Sequence, residues 1–194
     1  LAAHLYQRGS DLSVRKPAES GCAIEGRQLI PSDATQYFQA LEQTQSLESI
    51  CPFRLKAPLA PVQAARLEHI RISINDLATA CQSQDNSYLL VEGAGGFYSP
   101  MAEDGLNSDL AKVLQLPVLL VATDKLGCLN HILLSQRAIQ AAGLELSAVV
   151  LNQIGESTDP LLDNADMLKE QLSTPIFETR DDSWLDQLAA HVSP

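Results

Sequence analysis

What these 194 residues lack narrows the reading before any pattern does. Positive charge is scarce: 13 Lys and Arg stand against 24 Asp and Glu, for a net charge of −11. So acidic a chain has no general basic face, and no nucleic-acid partner is expected. A nucleotide stays open, because it needs only a local cluster of donors and a metal ion. Cysteine is scarce too. Cys22, Cys51, Cys81 and Cys128 lie far apart, and no flanking histidine completes a zinc pattern. Reduced thiols in a cytoplasmic protein are expected. The four histidines are scattered and carry no signature. The longest apolar stretch, Leu116–Ala122, falls far below the roughly 20 residues of a membrane span, so no membrane partner is expected. No internal repeat and no low-complexity tract is present.

What is there alternates. Leu1, Ala2, Leu5 and Tyr6 repeat at helical spacing, and Gly9 suits the position just past a helix end. Leu12–Arg15 reads as a short strand. Ser32 is a candidate N-cap for the helix that follows. A Pro-punctuated loop over 51–61 opens into a helix near Val62, and Ile74–Gln82 reads as a further amphipathic helix. Tyr88–Val91, Pro117–Thr123, Ala148–Leu151 and Pro175–Phe177 read as strands. Helices over Asn130–Ala142, closed by Gly143, and over Asp163–Leu172 separate the last three. Near-continuous apolar strands spaced by helices predict an α/β fold with a mostly parallel sheet flanked by helices, in one domain over 1–194. A β-α-β unit starts on its strand, whereas this chain starts on a helix with no cap ahead of Leu1. The expectation is therefore an N-terminally truncated sequence, short of a first strand and its loop by on the order of 15–30 residues.

Ligands of open α/β sheets gather at the carboxyl ends of the strands. Lys16 follows the first strand and could neutralise a phosphate or a forming anion, with Ser20 adding a hydroxyl. A surface lysine before the Pro17 turn explains it at least as well. Asp33 begins a helix, where a carboxylate serves capping and the helix dipole, or ligates magnesium. Glu92 is the strongest candidate. A carboxylate ending a buried strand is costly unless it is paired, hydrogen-bonded or metal-bound. Gly93, Ala94, Gly95 and Gly96 after it clear bulk for a close approach of backbone to ligand. Asp124–His131 joins a strand end to a helix start, a place that favours an anion or is an ordinary loop. Asn152 closes the next strand with an amide that suits the edge of an adenine or simply a turn.

The stretches "RKPAESG", "SDAT", "LLVEGAGGFYSP", "LPVLLVATDKLGCLNHILLSQRAIQAAGL" and "VVLNQ", in that order, resemble the dethiobiotin synthetase family over roughly Leu1 to Phe177. The resemblance implies a P-loop NTPase-like fold and a homodimer that uses ATP and Mg2+. It implies ureido ring closure of 7,8-diaminononanoate with CO2 or bicarbonate, through a carbamate and its phosphorylated form. Carried over by motif, Lys16 stabilises the carbamate and the transferring phosphoryl group, and Ser20 bonds the substrate. Asp33 and Glu92 hold magnesium, Gly93, Gly95 and Gly96 leave room for phosphates, and Asn152 faces adenine. Leu126, Gly127, Cys128 and Asn130 receive the substrate carboxylate across a dimer interface.

One departure stands out. No G-x-x-x-x-G-K-[ST] phosphate loop occurs in the 194 residues, so this form alone is expected to bind ATP poorly and turn over little. Two other readings remain. One is a cobyrinate-type amide synthetase, which usually appends a glutaminase domain. The other is a non-catalytic dimerising or regulatory module lacking the phosphate loop.

Overall fold

A computed structural model describes residues 1–83, 87–154 and 163–193, which divide into two compact units, 1–114 and 115–194. The first unit opens with α1 (Ala2–Gln7), β1 (Leu12–Arg15), β2 (Ala18–Ser20), β3 (Ala23–Glu25) and β4 (Gln28–Ile30). It continues through α2 (Ser32–Ala40), α3 (Leu47–Ile50), β5 (Phe53–Leu55), α4 (Pro61–Leu67) and α5 (Ile74–Ala80). It ends with β6 (Tyr88–Val91), β7 (Pro100–Ala102), β8 (Gly105–Leu106) and α6 (Asn107–Leu114).

β1 and β6 run parallel, Leu12 beside Tyr88 through to Arg15 beside Val91. The ladder extends one step further, since Glu92 N donates to Arg15 O at 2.8 Å. That step sets Glu92 beside Lys16 where both strands end. On the open side of β1, the Gln45 amide stands in for a neighbouring strand. It donates to Leu12 O at 2.9 Å and accepts from Val14 N at 3.2 Å, covering an edge that would otherwise invite pairing. β2 pairs parallel with β5, while β3–β4 and β7–β8 are antiparallel hairpins. The main core of this unit joins Ala18, Leu55, Ile72, Leu77, Met101 and Leu110 with their small neighbours. A second cluster sets Ala34, Ile50 and Cys51 against Tyr37, Phe38 and Leu47.

The second unit has β9 (Val118–Thr123), α7 (Cys128–Ala141), β10 (Leu146–Asn152), α8 (Asn164–Lys169), β11 (Ile176–Glu178) and α9 (Trp184–Val192). Its three strands are parallel in the order β11-β10-β9. The middle strand, β10, buries Ala148–Leu151 without a polar break, as a strand covered on both faces must. Helices α7 and α8 pack on it through Cys128, Ile132, Ala165 and Leu168.

The α/β class with mostly parallel pairing is as expected, although three short parallel sheets carry it among the described residues. Several local expectations change. Ser32 is the first helical residue of α2 and makes no cap bond; Pro31 precedes the helix. The Pro-rich segment contains β5, and α7 starts at Cys128 rather than at Asn130. Gly9 and Gly143 adopt φ of 84° and 73° just past α1 and α7, the left-handed closure that glycine permits. Among the described residues no helix is long and apolar enough to cross a membrane.

All four cysteines are free and buried. Burial pushes the Cys51 and Cys81 thiols up to about 12, and raises Cys22 as well. Only the thiolate is nucleophilic. Iodoacetamide at pH 8 is therefore expected to leave the native protein essentially unlabelled, and to modify all four cysteines once urea unfolds it. Mass spectrometry reads the difference, and rapid labelling of native Cys51 or Cys81 would contradict this burial.

Candidate functional site

The ends of β1 and β6 meet the start of α2 in the first unit. The Lys16 side chain lies there almost wholly out of solvent, at 5% exposure. Its Nζ donates to Glu92 Oε1 at 2.7 Å and to the Gly93 carbonyl at 3.1 Å, and stands 3.0 Å from Asp33 Oδ2. Burial alone would lower the lysine pKa. Glu92 and then Asp33 more than reverse that, and the pKa rises above its ordinary value. The ammonium stays charged at neutral pH, held by two side chains that are themselves partly in water.

Two residues that the sequence reading passed over hold this trio in place. Glu19, on β2 and only 5% exposed, accepts from Asp33 N at 2.9 Å and Ala34 N at 3.0 Å, one carboxylate oxygen to each. It therefore caps α2 from across the fold, answering N–H groups that no residue of the helix itself can satisfy. Asp33, read from sequence as either a capping carboxylate or a magnesium ligand, is left free to face Lys16. Tyr37 stands one turn after Asp33 on the same face of α2, and its hydroxyl donates to Glu92 Oε2. Burial, then the neighbouring Glu92 carboxylate, pushes the Tyr37 pKa well above the ordinary phenol value, so the hydroxyl keeps its proton. The i, i+4 spacing from Asp33 was the available signal for Tyr37. Glu19 gave none, because its partners lie 14 residues away across a hairpin.

The glycines after Glu92 have reasons internal to the protein. A Cβ on Gly93 would fall 2.4 Å from Asn107 Oδ1. Asn107 lies that close because its amide donates to the carbonyls of Ala94 and Gly96, at 2.8 and 2.9 Å. Gly95 has a φ of 77°, and a Cβ there would meet Ser99 Oγ at 2.5 Å. Gly96 N donates to that same hydroxyl at 2.8 Å. Of the three, only Gly96 would accept a Cβ without a clash, its nearest neighbour being Ser99 Oγ at 3.9 Å. Asn107 and Ser99 thus stitch the loop, which the expectation of a cleared path for ligand did not foresee. Ser20 lines a recess of about 300 Å³ with Leu59, Pro61, Ala94, Gly95 and Ser99.

The other candidates belong to the second unit. Asn152 ends β10; its carbonyl accepts from Asp124 N at 2.9 Å and its side-chain oxygen lies 3.5 Å from Thr179 Oγ1. Leu126 is 83% exposed, and Gly127, at φ 91°, turns the chain into α7. Cys128 points into the core, while Asn130 is exposed on the first turn of α7. Gly127, the N-cap of that helix, has no side chain to cap it. Behind it, Asn164 Nδ2 donates to Asp124 Oδ1 at 2.7 Å, both residues being buried.

Magnesium takes oxygen ligands, one or two carboxylates completed by phosphate oxygens and water. Asp33 and Glu92 fit that description, each placing an oxygen within 3.0 Å of one point, the Lys16 Nζ. Among the described residues no three or more His, Cys, Asp or Glu side chains gather to hold a metal. The fit is therefore to an open two-carboxylate site, not to a closed protein cage.

Residues 1–178 match a family model described as an AAA domain. Among curated proteins, the chain is 36% identical over 165 residues to the ATP-dependent dethiobiotin synthetase BioD of Ruthia magnifica subsp. Calyptogena magnifica, covering 85% of this chain and 75% of that protein. It is 41% identical over 162 residues to the protein of that name from Anaeromyxobacter sp. strain Fw109-5, with 82% and 71% covered. It is 34% identical over 181 residues to the one from Bacillus subtilis subsp. natto, with 91% and 77% covered.

Proposed function

Since the chain belongs to the dethiobiotin synthetase family, we propose that it serves ATP-dependent ureido ring closure on 7,8-diaminononanoate in biotin synthesis. One amine of the diamine adds to CO2, losing a proton and leaving a carbamate. A carbamate oxygen takes the γ-phosphoryl group of ATP, releasing ADP. The second amine then attacks the carbamoyl carbon, and phosphate leaves as the second C–N bond closes the ring.

The observation that carries the reading is the Lys16 ammonium held between Asp33 and Glu92 at the strand ends. Phosphoryl transfer asks mainly for positioning and for cancellation of charge. Lys16 supplies a positive charge for the carbamate and the transferring phosphoryl group. Asp33 and Glu92 would hold Mg2+, which when bound draws off negative charge from the phosphate oxygens. Ser20, in the wall of its recess, bonds the substrate beside apolar Leu59 and Pro61. Gly96 offers the open backbone next to the phosphates. In the second unit, Asn152 faces adenine. The exposed backbone at Leu126–Gly127 and the start of α7, with Cys128 and Asn130, receive the substrate carboxylate of a homodimeric, cytoplasmic enzyme.

The test is phosphate release by the protein as its gene encodes it. Release is expected only with ATP, Mg2+, the diamine and bicarbonate together, and mass spectrometry should find the cyclised product. Phosphate release that ignores the diamine would refute the assignment, as would no product with all four present.

A further inference from the structure

The acidic pair is not held symmetrically. Asp33 is fixed through the backbone of α2, because Glu19 clamps the first N–H groups of that helix. Glu92 sits at the end of a strand, its side chain 43% exposed, and a glutamate there has three rotatable bonds with which to swing into solvent. Its oxygens are nonetheless both engaged: Oε1 by Lys16 and Oε2 by the Tyr37 hydroxyl. The Tyr37 ring packs against the cluster of Ala34, Ile50 and Cys51, so the position of its hydroxyl oxygen is set by the core and not by the ligand. One face of one helix thereby supplies the first carboxylate and aims the second.

We propose that Tyr37 is a positioning residue for Glu92, its hydroxyl fixing which oxygen of that carboxylate turns toward Asp33 and toward a divalent cation. This rests on the assignment of Asp33 and Glu92 to the metal. Outer partners that orient a metal-binding carboxylate typically change metal affinity by about 10- to 100-fold when removed. Tyr37→Phe deletes one oxygen and keeps the ring, so the packing of α2 is preserved while Glu92 loses its second anchor.

The experiment titrates Mn2+, alone, against wild type, Glu92→Gln and Tyr37→Phe, reading the free ion by its paramagnetic resonance signal, with urea unfolding of each protein in parallel. Expected are a loss of Mn2+ affinity in Glu92→Gln and a loss of roughly tenfold in Tyr37→Phe, with the unfolding midpoint of the latter close to wild type. Glu92→Gln weakened but Tyr37→Phe binding within twofold of wild type overturns the positioning role and leaves the metal assignment standing. Unchanged binding in Glu92→Gln removes the metal assignment and this inference with it. A Tyr37→Phe protein whose unfolding midpoint collapses together with its affinity makes the hydroxyl a structural bond only, and also overturns the inference.

Discussion

Glu92→Gln is expected to cut Mg2+-dependent ring closure by at least ~100-fold, the scale seen when a single electrostatic contact to a transition state is lost, while the fold survives. The substitution keeps the shape of the side chain. It removes a negative charge and replaces one acceptor oxygen with an amide donor. That donor cannot face the Lys16 ammonium, so the amide oxygen must take the place of Oε1 beside Nζ. The NH2 group then meets the Tyr37 hydroxyl, which has to turn and accept. Because the Glu92 side chain is 43% exposed, water offsets much of the mismatch. The stability cost should stay within ~1–2 kcal/mol. Initial rates of phosphate release and a urea unfolding curve measure the two effects separately. Rate and stability falling in proportion, or a rate within threefold of wild type, would show that Glu92 does no chemistry.

Glu19→Ala is expected to destabilise the first unit by about 2–4 kcal/mol. Two mechanisms add. The N–H groups of Asp33 and Ala34 lose their acceptors where Ala34 is wholly buried, and an unanswered buried donor costs about 1–3 kcal/mol. The start of α2 also loses a negative charge at the positive end of its dipole. Glu19→Gln keeps one acceptor and should lose roughly half as much. Midpoints from urea denaturation, with an unchanged slope, measure both. An alanine variant within 0.5 kcal/mol of wild type would mean water replaces the carboxylate without penalty. The effect should also reach function, since Asp33 rides on the peptide that Glu19 holds.

Strands and helices with a strong apolar signal were legible from the residues alone. Leu12–Arg15 and Tyr88–Val91 fall where the sequence predicted them, short runs bounded by polar and turn residues and too brief for a helix. The hairpin β3–β4 was not legible. Its first strand is exposed throughout and shows no alternation to read. Strand β5 is three residues long and is defined by its partner β2 rather than by its own composition. Lys16, Asp33 and Glu92 were each visible as polar groups at element ends, yet their meeting depends on parallel pairing across 76 residues. Glu19 was invisible for the opposite reason. Local rules award the cap of α2 to Ser32 or Asp33, and a long-range carboxylate took it instead. The loop glycines were read as room left for a ligand, whereas at Gly93 and Gly95 that room is taken by Asn107 and Ser99 of the protein itself.

The Lys16 ammonium has three hydrogens, and it touches three acceptors: Glu92, Asp33 and the carbonyl of Gly93. No donor is left over for a newcomer. Any anion that recruits this lysine must draw it away from at least one of them. The resting protein thus holds two like charges together with a cation of its own.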